Sequence, residues 1–146
     1  MRLVLDTSVM VAALRSDAGA SRALLLLCFE KQLNIIATVS LFIEYEAFLT
    51  RSVHLEAAGV TSAEVGVLLD AVASLAEPTE INFQWRPFLR NPDDDMVLEA
   101  AVNGRADAVV TFNLRDFVGI KQFGIRAITP REVLHAYRSA NGSTNP

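Results

Sequence analysis

The sequence predicts an α/β fold built on a parallel sheet with helices on both faces. Short apolar segments alternate with longer amphipathic ones along the whole chain. The short segments carry apolar residues continuously, as strands do when both faces of a sheet are covered. At 146 residues and 51% hydrophobic side chains, the chain has material for one domain with a full core.

Taken in order, Leu3-Val4-Leu5 is a buried strand that stops abruptly at Asp6. Thr7 and Ser8 follow as cap residues for a helical stretch over 9–14. Ser16-Asp17-Ala18-Gly19 is a turn, and an apolar helix covers about 20–32. The β-branched run over 34–39 is the second strand. Ser40 caps a helix reaching about residue 52, whose apolar face is Leu41, Phe42, Tyr45, Phe48 and Leu49. Thr61-Ser62-Ala63-Glu64 has capping-box spacing and opens a helix to about residue 76. A weak third strand covers 79–83, and 84–90 is irregular, with Trp85 and Pro87. The Asp-led helix then runs to Asn103-Gly104, where glycine marks its end. A fourth strand covers 106–111, a loop or single turn 113–117, and a short fifth strand 126–129. Pro130 opens the last helix, capped by Thr129. The domain is expected to span 1–139, leaving the small, polar segment 140–146 as a disordered tail.

Bulk properties exclude several function classes. The longest uninterrupted apolar run, residues 23–29, is too short to span a bilayer, and Asp6 interrupts any leader-like region. A soluble, cytoplasmic protein with no membrane partner is expected. Cys28 is the only cysteine, so there is neither a disulfide frame nor a thiolate zinc site; a small buried thiol is expected. Net charge −4 and a pI near 5.1 argue against strong nonspecific binding of bare nucleic acid. They leave room for a nucleic-acid enzyme whose acids hold cations, since bound cations reverse the charge that a phosphate meets. His54 and His135 have no ligand-spaced partner and are expected at the surface. There is no Gly-rich phosphate loop, nucleophilic serine motif or dinucleotide fingerprint.

The chemistry-bearing residues gather at one edge. In parallel α/β sheets, ligands bind beyond the carboxyl ends of the strands. Asp6 ends the first strand, and Thr111, Asn113 and Asp116 follow the fourth. Asp93, Asp94 and Asp95 open the helix leading into that fourth strand. Glu44 and Glu46 lie early in the helix after the second. Mutually repelling carboxylates are stable together only if protonated, paired with bases, or bridged by metal. No lysine or histidine accompanies these segments, and only Arg115 is close in sequence. An oxygen-only set selects hard ions, Mg²⁺ or Mn²⁺, which grip substrate phosphates and generate a metal-bound hydroxide.

Projected at about 100° per residue, Val97, Leu98, Ala101 and Val102 form the buried stripe of the Asp-led helix. Asp94 falls near the centre of that stripe and is the inward carboxylate. Asp95 falls at its edge as an outer ligand on the rim, and Asp93 is a cap. The same projection puts Glu44 and Glu46 on opposite flanks of their helix and does not choose between them.

Five segments together resemble the PIN-domain ribonucleases, in particular the bacterial branch that supplies toxins of type II toxin–antitoxin pairs. They are Leu5-Asp6-Thr7-Ser8, the Glu44-Tyr45-Glu46 segment, Asn91-Pro92-Asp93-Asp94-Asp95, the run Thr111-Phe112-Asn113-Leu114-Arg115-Asp116-Phe117, and Ile128-Thr129-Pro130-Arg131-Glu132. The resemblance covers residues 2 to about 138. It implies a three-layer α/β/α domain with strand order 3-2-1-4-5, and Mg²⁺- or Mn²⁺-dependent cleavage of RNA leaving a 5′-phosphate. Carried over by position, it makes Asp6, Glu44, Asp94 and Asp116 the metal-binding catalytic acids, with Thr7, Thr111 and Asn113 as supporting polar groups. A cognate antitoxin and a homodimer are the implied partners. Two positions depart from the pattern: Asn91 and Asn113 stand where many relatives carry acids, and Asn113 brings less charge to a second metal.

Other acid-bearing α/β enzymes fit less well. A haloacid-dehalogenase-type phosphotransferase needs an acid two residues after Asp6, where Ser8 stands. A phosphoacceptor receiver domain needs an acceptor aspartate after the third strand and a lysine after the fifth; here stand Asn82-Phe83-Gln84 and Pro130. The alternative that keeps the fold is a catalytically inactive PIN-like module that binds RNA or protein. Trp85 and Phe88 are candidates for a partner-binding patch, with core packing as their simpler role.

Overall fold

The computed structural model describes residues 1–83, 89 and 91–142, with Pro92 described by its backbone. The expectations for Trp85, Phe88 and the irregular segment around them therefore lie outside the described residues, as do 143–146.

Five parallel strands form one sheet in the order β3-β2-β1-β4-β5. They are β1 (Arg2–Leu5), β2 (Asn34–Ala37), β3 (Glu77–Pro78), β4 (Ala108–Val110) and β5 (Arg126–Ile128). The helices are α1 (Thr7–Arg15), α2 (Ala20–Phe29), α3 (Val39–Leu49), α4 (Ser52–Ala58), α5 (Ser62–Leu75), α6 (Pro92–Asn103) and α7 (Pro130–Gly142), with a 3₁₀ stretch at Leu114–Phe123. The result is the three-layer α/β/α architecture and strand order expected. The central strands are continuously apolar because both their faces are covered: Leu3, Val4, Leu5, Ala108, Val109 and Val110 are at most 1% exposed. α6 packs across β1, β2 and β4. Among the described residues no single helix is long and apolar enough to cross a membrane.

Several boundaries differ from the sequence reading, each for a local reason. α1 begins at Thr7 with Asp6 as its N-cap residue, but the Asp6 side chain caps nothing because it is engaged elsewhere. β2 stops at Ala37, since Thr38 turns from strand to cap: its Oγ1 accepts from the Leu41 N–H at 3.1 Å. The helix expected to reach residue 52 breaks at Thr50-Arg51, and α4 follows. The capping box at Thr61 and Glu64 forms as its spacing predicts. The third strand is only Glu77–Pro78, ahead of the 79–83 expected. Further on, the side chain of Asn103 stands in for a neighbouring strand. Its Oδ1 accepts from the Asn82 and Phe83 N–H groups at 2.9 and 3.0 Å, and its Nδ2 donates to the Phe83 carbonyl at 2.9 Å. The short turn expected over 113–117 extends as the 3₁₀ stretch to Phe123. α7 runs to Gly142, so the first three residues of the expected tail are helical.

The end of α6 falls at Gly104 as the sequence predicts, but the left-handed turn and the need for glycine sit on different residues. The left-handed residue is Arg105, at φ 53°, and the Ala106 N–H reaches back to the Ala101 carbonyl at 2.9 Å. Gly104 has an ordinary right-handed backbone. Its missing side chain matters for space, because a Cβ there would stand 2.4 Å from Ile36 Cγ2 on β2.

Candidate active site

The register of the sheet builds the site. Leu5 pairs with Val110, so Asp6 and Thr111 emerge side by side from β1 and β4. Asp6 is 5% exposed, and its Oδ2 accepts from Thr111 Oγ1 at 2.7 Å and Ser8 Oγ at 2.9 Å. Thr111 Oγ1 in turn accepts from the Asn113 N–H at 2.9 Å, and the Asp116 N–H donates to the Asn113 carbonyl at 3.0 Å. One chain of hydrogen bonds thus links the tip of β1 to the loop that carries Asn113 and Asp116.

α3 supplies the glutamate, and Tyr45 decides which one. Its ring is fully buried, packed edge-on against Phe42 at 5.5 Å, and its hydroxyl donates to the Leu5 carbonyl. With Tyr45 driven into the core beside the end of β1, the two flanking acids fall on different sides. Glu44 lines the same cavity as Asp6, whereas Glu46 lines a separate apolar groove with Phe42, Ile43 and Leu69. The structure makes the choice that the helical projection leaves open.

α6 supplies the aspartates at its N-terminus, where the helix dipole favours negative charge. Asn91 caps the helix, its Oδ1 accepting from the Asp93 N–H at 3.0 Å, so Asp93 lies within the first turn and is not the cap. Asp93 and Asp94 line the cavity. Asp95 does not. It is 1% exposed and its Oδ1 accepts from the Leu89 N–H at 2.8 Å, so it ties down the preceding segment rather than standing on the rim.

The cavity holds about 300 Å³ and is lined by Asp6, Thr7, Ser8, Glu44, Asp93, Asp94, Asn113 and Asp116, with Asn91, Val11 and Phe48. Five carboxylates therefore share a space to which no described basic residue contributes lining. The electrostatic consequence falls on Asp94. Its carboxyl is pushed up to about 7 from an ordinary 3.8, first by burial and then by the charges of Asp6, Asp116, Asp93 and Asp95. Glu44 is also raised, by desolvation and then by Asp93, with Arg51 pulling the other way.

These donors suit a hard divalent cation. Asp94 Oδ2 is buried with no hydrogen-bond partner, and its neighbours are oxygen-bearing anions, an environment that a cation would satisfy. The set is open: among the described residues no three His, Cys, Asp or Glu groups form a ready-made coordination shell.

Of the residues singled out by sequence, Asp6, Thr7, Glu44, Asp94, Asn113 and Asp116 meet at the cavity, and Thr111 lies behind Asp6. Ser8 and Tyr45 are additions. The sequence signals are present in both, a hydroxyl two residues after Asp6 and an aromatic between two acids, but each has a simpler role as cap or core residue. Cys28 is buried, its thiol pushed up to about 12 by desolvation, which leaves it inert. His135 is exposed, while His54 is half-buried, its Nδ1 without a partner.

Comparison with known proteins agrees with this geometry. A family model described as PIN domain matches residues 2–115. No curated protein matches the chain.

Proposed function

The chain belongs to the PIN-domain family, whose members are generally nucleases, and from that premise we propose that it is a metal-dependent endoribonuclease. The observation that carries this reading is Asp94: a buried, unpartnered carboxylate oxygen, with its pKa raised first by burial and then by four other acids around it. Asp6, Asp94 and Asp116, with Glu44, would hold Mg²⁺ or Mn²⁺. When bound, such an ion supplies Lewis-acid charge at the scissile phosphate and acidifies the attacking water.

The protein's own groups prepare this chemistry. Ser8 and Thr111 both donate to Asp6 Oδ2, which fixes the carboxylate's rotamer and leaves Oδ1 for other partners. Tyr45 holds α3 so that Glu44 faces the cavity. In hydrolysis a water oxygen bonds to phosphorus, the P–O3′ bond breaks, the 3′ oxygen leaves with a proton, and the 5′-phosphate stays with the other fragment. The raised pKa of Asp94 belongs to the metal-free site, where a proton offsets the crowded charge that a bound cation would take over.

The same reading makes the protein the toxin of a type II toxin–antitoxin pair, neutralised by an antitoxin and assembled as a homodimer. Support for a protein partner comes from the apolar groove between α3 and α5, where Val39 and Ile43 are 78% and 65% exposed. The open spacing of the acids favours a second reading, a PIN-like module that binds RNA or protein without cutting.

Incubating purified protein with labelled RNA in Mg²⁺, Mn²⁺ or chelator separates the two. The ribonuclease cleaves only with metal, and Asp6→Asn abolishes cleavage. Metal-independent binding without cleavage would establish the module instead. The toxin role fails on its own if expression in a bacterial host does not arrest growth.

A further inference from the structure

Arg51 stands apart among the cations near this edge. Its guanidinium carbon lies 3.8 Å from the centroid of the Phe48 ring, and Phe48 lines the acidic cavity. The break between α3 and α4 holds the residue in place: the Arg51 N–H donates to the Phe48 carbonyl at 3.1 Å, and the Arg51 carbonyl accepts from the His54 and Leu55 N–H groups at 3.0 and 3.1 Å. The residue is exposed and makes no ion pair among the described residues. Glu44 registers its positive charge. A guanidinium that finds no carboxylate within reach of five, yet is laid flat on a ring beside them, is poised to meet something arriving from solvent. Stacking leaves its edge donors free, and a planar fork of N–H groups suits a phosphate.

We propose that Arg51, shelved on Phe48, binds a backbone phosphate of single-stranded RNA at the mouth of the acidic cavity. The inference rests on the ribonuclease reading for its substrate. It explains how an acidic protein retains a polyanion: metal draws in the scissile phosphate, and a cation preset at the rim holds its neighbour. Stacking on Phe48 biases the arginine toward this orientation, so less side-chain freedom is lost on binding.

The test measures binding and turnover separately. Fluorescence anisotropy with labelled single-stranded RNA is read in Mn²⁺ on the Asp6→Asn background, which does not cut. Adding Arg51→Gln should weaken binding about 3- to 10-fold and flatten the salt dependence by about 0.7 in log–log slope, the loss of one phosphate contact. Arg51→Lys and Phe48→Leu should give smaller losses, with thermal melts confirming the fold. Arg105→Gln, at the opposite end of the sheet, removes the same charge and should leave the slope unchanged. With Asp6 restored, Arg51→Gln should raise KM and leave kcat within about twofold, as for a contact made equally in ground and transition states. An unchanged slope and KM, absence of RNA binding, or an equal effect from Arg105→Gln overturns the inference. If wild type binds through Arg51 but never cleaves, the ribonuclease reading fails and the phosphate contact stands.

Discussion

The two ends of the sheet treat acidic residues in opposite ways. At the amino ends of the strands, Arg2 answers two acids, Asp107 and Glu77. Its N–H donates to Asp107 Oδ2 at 2.7 Å, its guanidinium meets Glu77 at 2.5 Å, and its Nη2 donates to the Gly104 carbonyl at 2.5 Å. At the carboxyl ends, five carboxylates share a cavity with no basic residue among its described lining, and Asp94 has an unpartnered oxygen. The helix N-terminus of α6 faces the acidic end and offsets part of its charge, but no side-chain cation among the described lining does. One end compensates charge within the chain, and the other leaves the remainder to what binds. That contrast separates function from ordinary surface electrostatics better than the acids' number does.

The contrast can be broken most sharply at the uncompensated end. Asp94→Asn and Asp116→Asn should each reduce metal-dependent RNA cleavage at least about 100-fold while circular dichroism stays native, since each removes a charge that would hold the ion. Equal activity in either variant would remove that residue from the site.

Stability supplies the next effect. The Asp94 carboxyl keeps a proton to about pH 7 in the fold but releases it near 3.8 when unfolded. Its raised pKa therefore favours the fold fully below about pH 4, and the benefit is lost as pH rises through 7. Asp94→Asn should consequently be more stable than wild type at pH 8, by on the order of 1–2 kcal/mol, and the gap should close toward pH 4 in denaturant titrations. Mn²⁺ should raise the wild-type melting temperature at pH 8 and leave that of Asp94→Asn nearly unmoved.

The compensated end predicts the reverse pattern. Arg2→Ala strands Glu77 and the Gly104 carbonyl and should cost about 1–2 kcal/mol without altering kcat of the folded protein. The smallest effect lies at Arg105, whose left-handed backbone suits glycine. Arg105→Gly should stabilise by about 0.5–1 kcal/mol, read as a shift of the urea midpoint at unchanged m-value.

Much of this was legible in the sequence. Apolar runs ending in Asp6 and in Thr111 announce buried parallel strands and the edge where they end, because strand burial is written in composition. The inward placement of Asp94 follows from helical period alone. The remainder depended on partners remote in sequence. Glu44 and Glu46 are equivalent by period, and only the Tyr45 hydroxyl on the Leu5 carbonyl distinguishes them. Asp95 looked like a rim ligand because its tie to the Leu89 N–H has no local signature. The alternating Ile81 and Phe83 imitate a strand, yet an asparagine twenty residues on satisfies that backbone. Gly104 read only as the end of a helix, although the Ile36 side chain on β2 is what requires a residue without a Cβ there.

The bond from Thr111 to Asp6 spans 105 residues of chain. β1 lies at the centre of the sheet but receives its second neighbour only when β4 has been made. Any fragment ending before residue 108 leaves one edge of β1 unpaired and lacks Thr111, Asn113 and Asp116 altogether. During synthesis the acidic edge thus assembles late, and its closure is a long-range event of the slow-folding kind. The order of strands acts as a timer: the acidic cavity cannot close until β4 and the loop carrying Asp116 have been made.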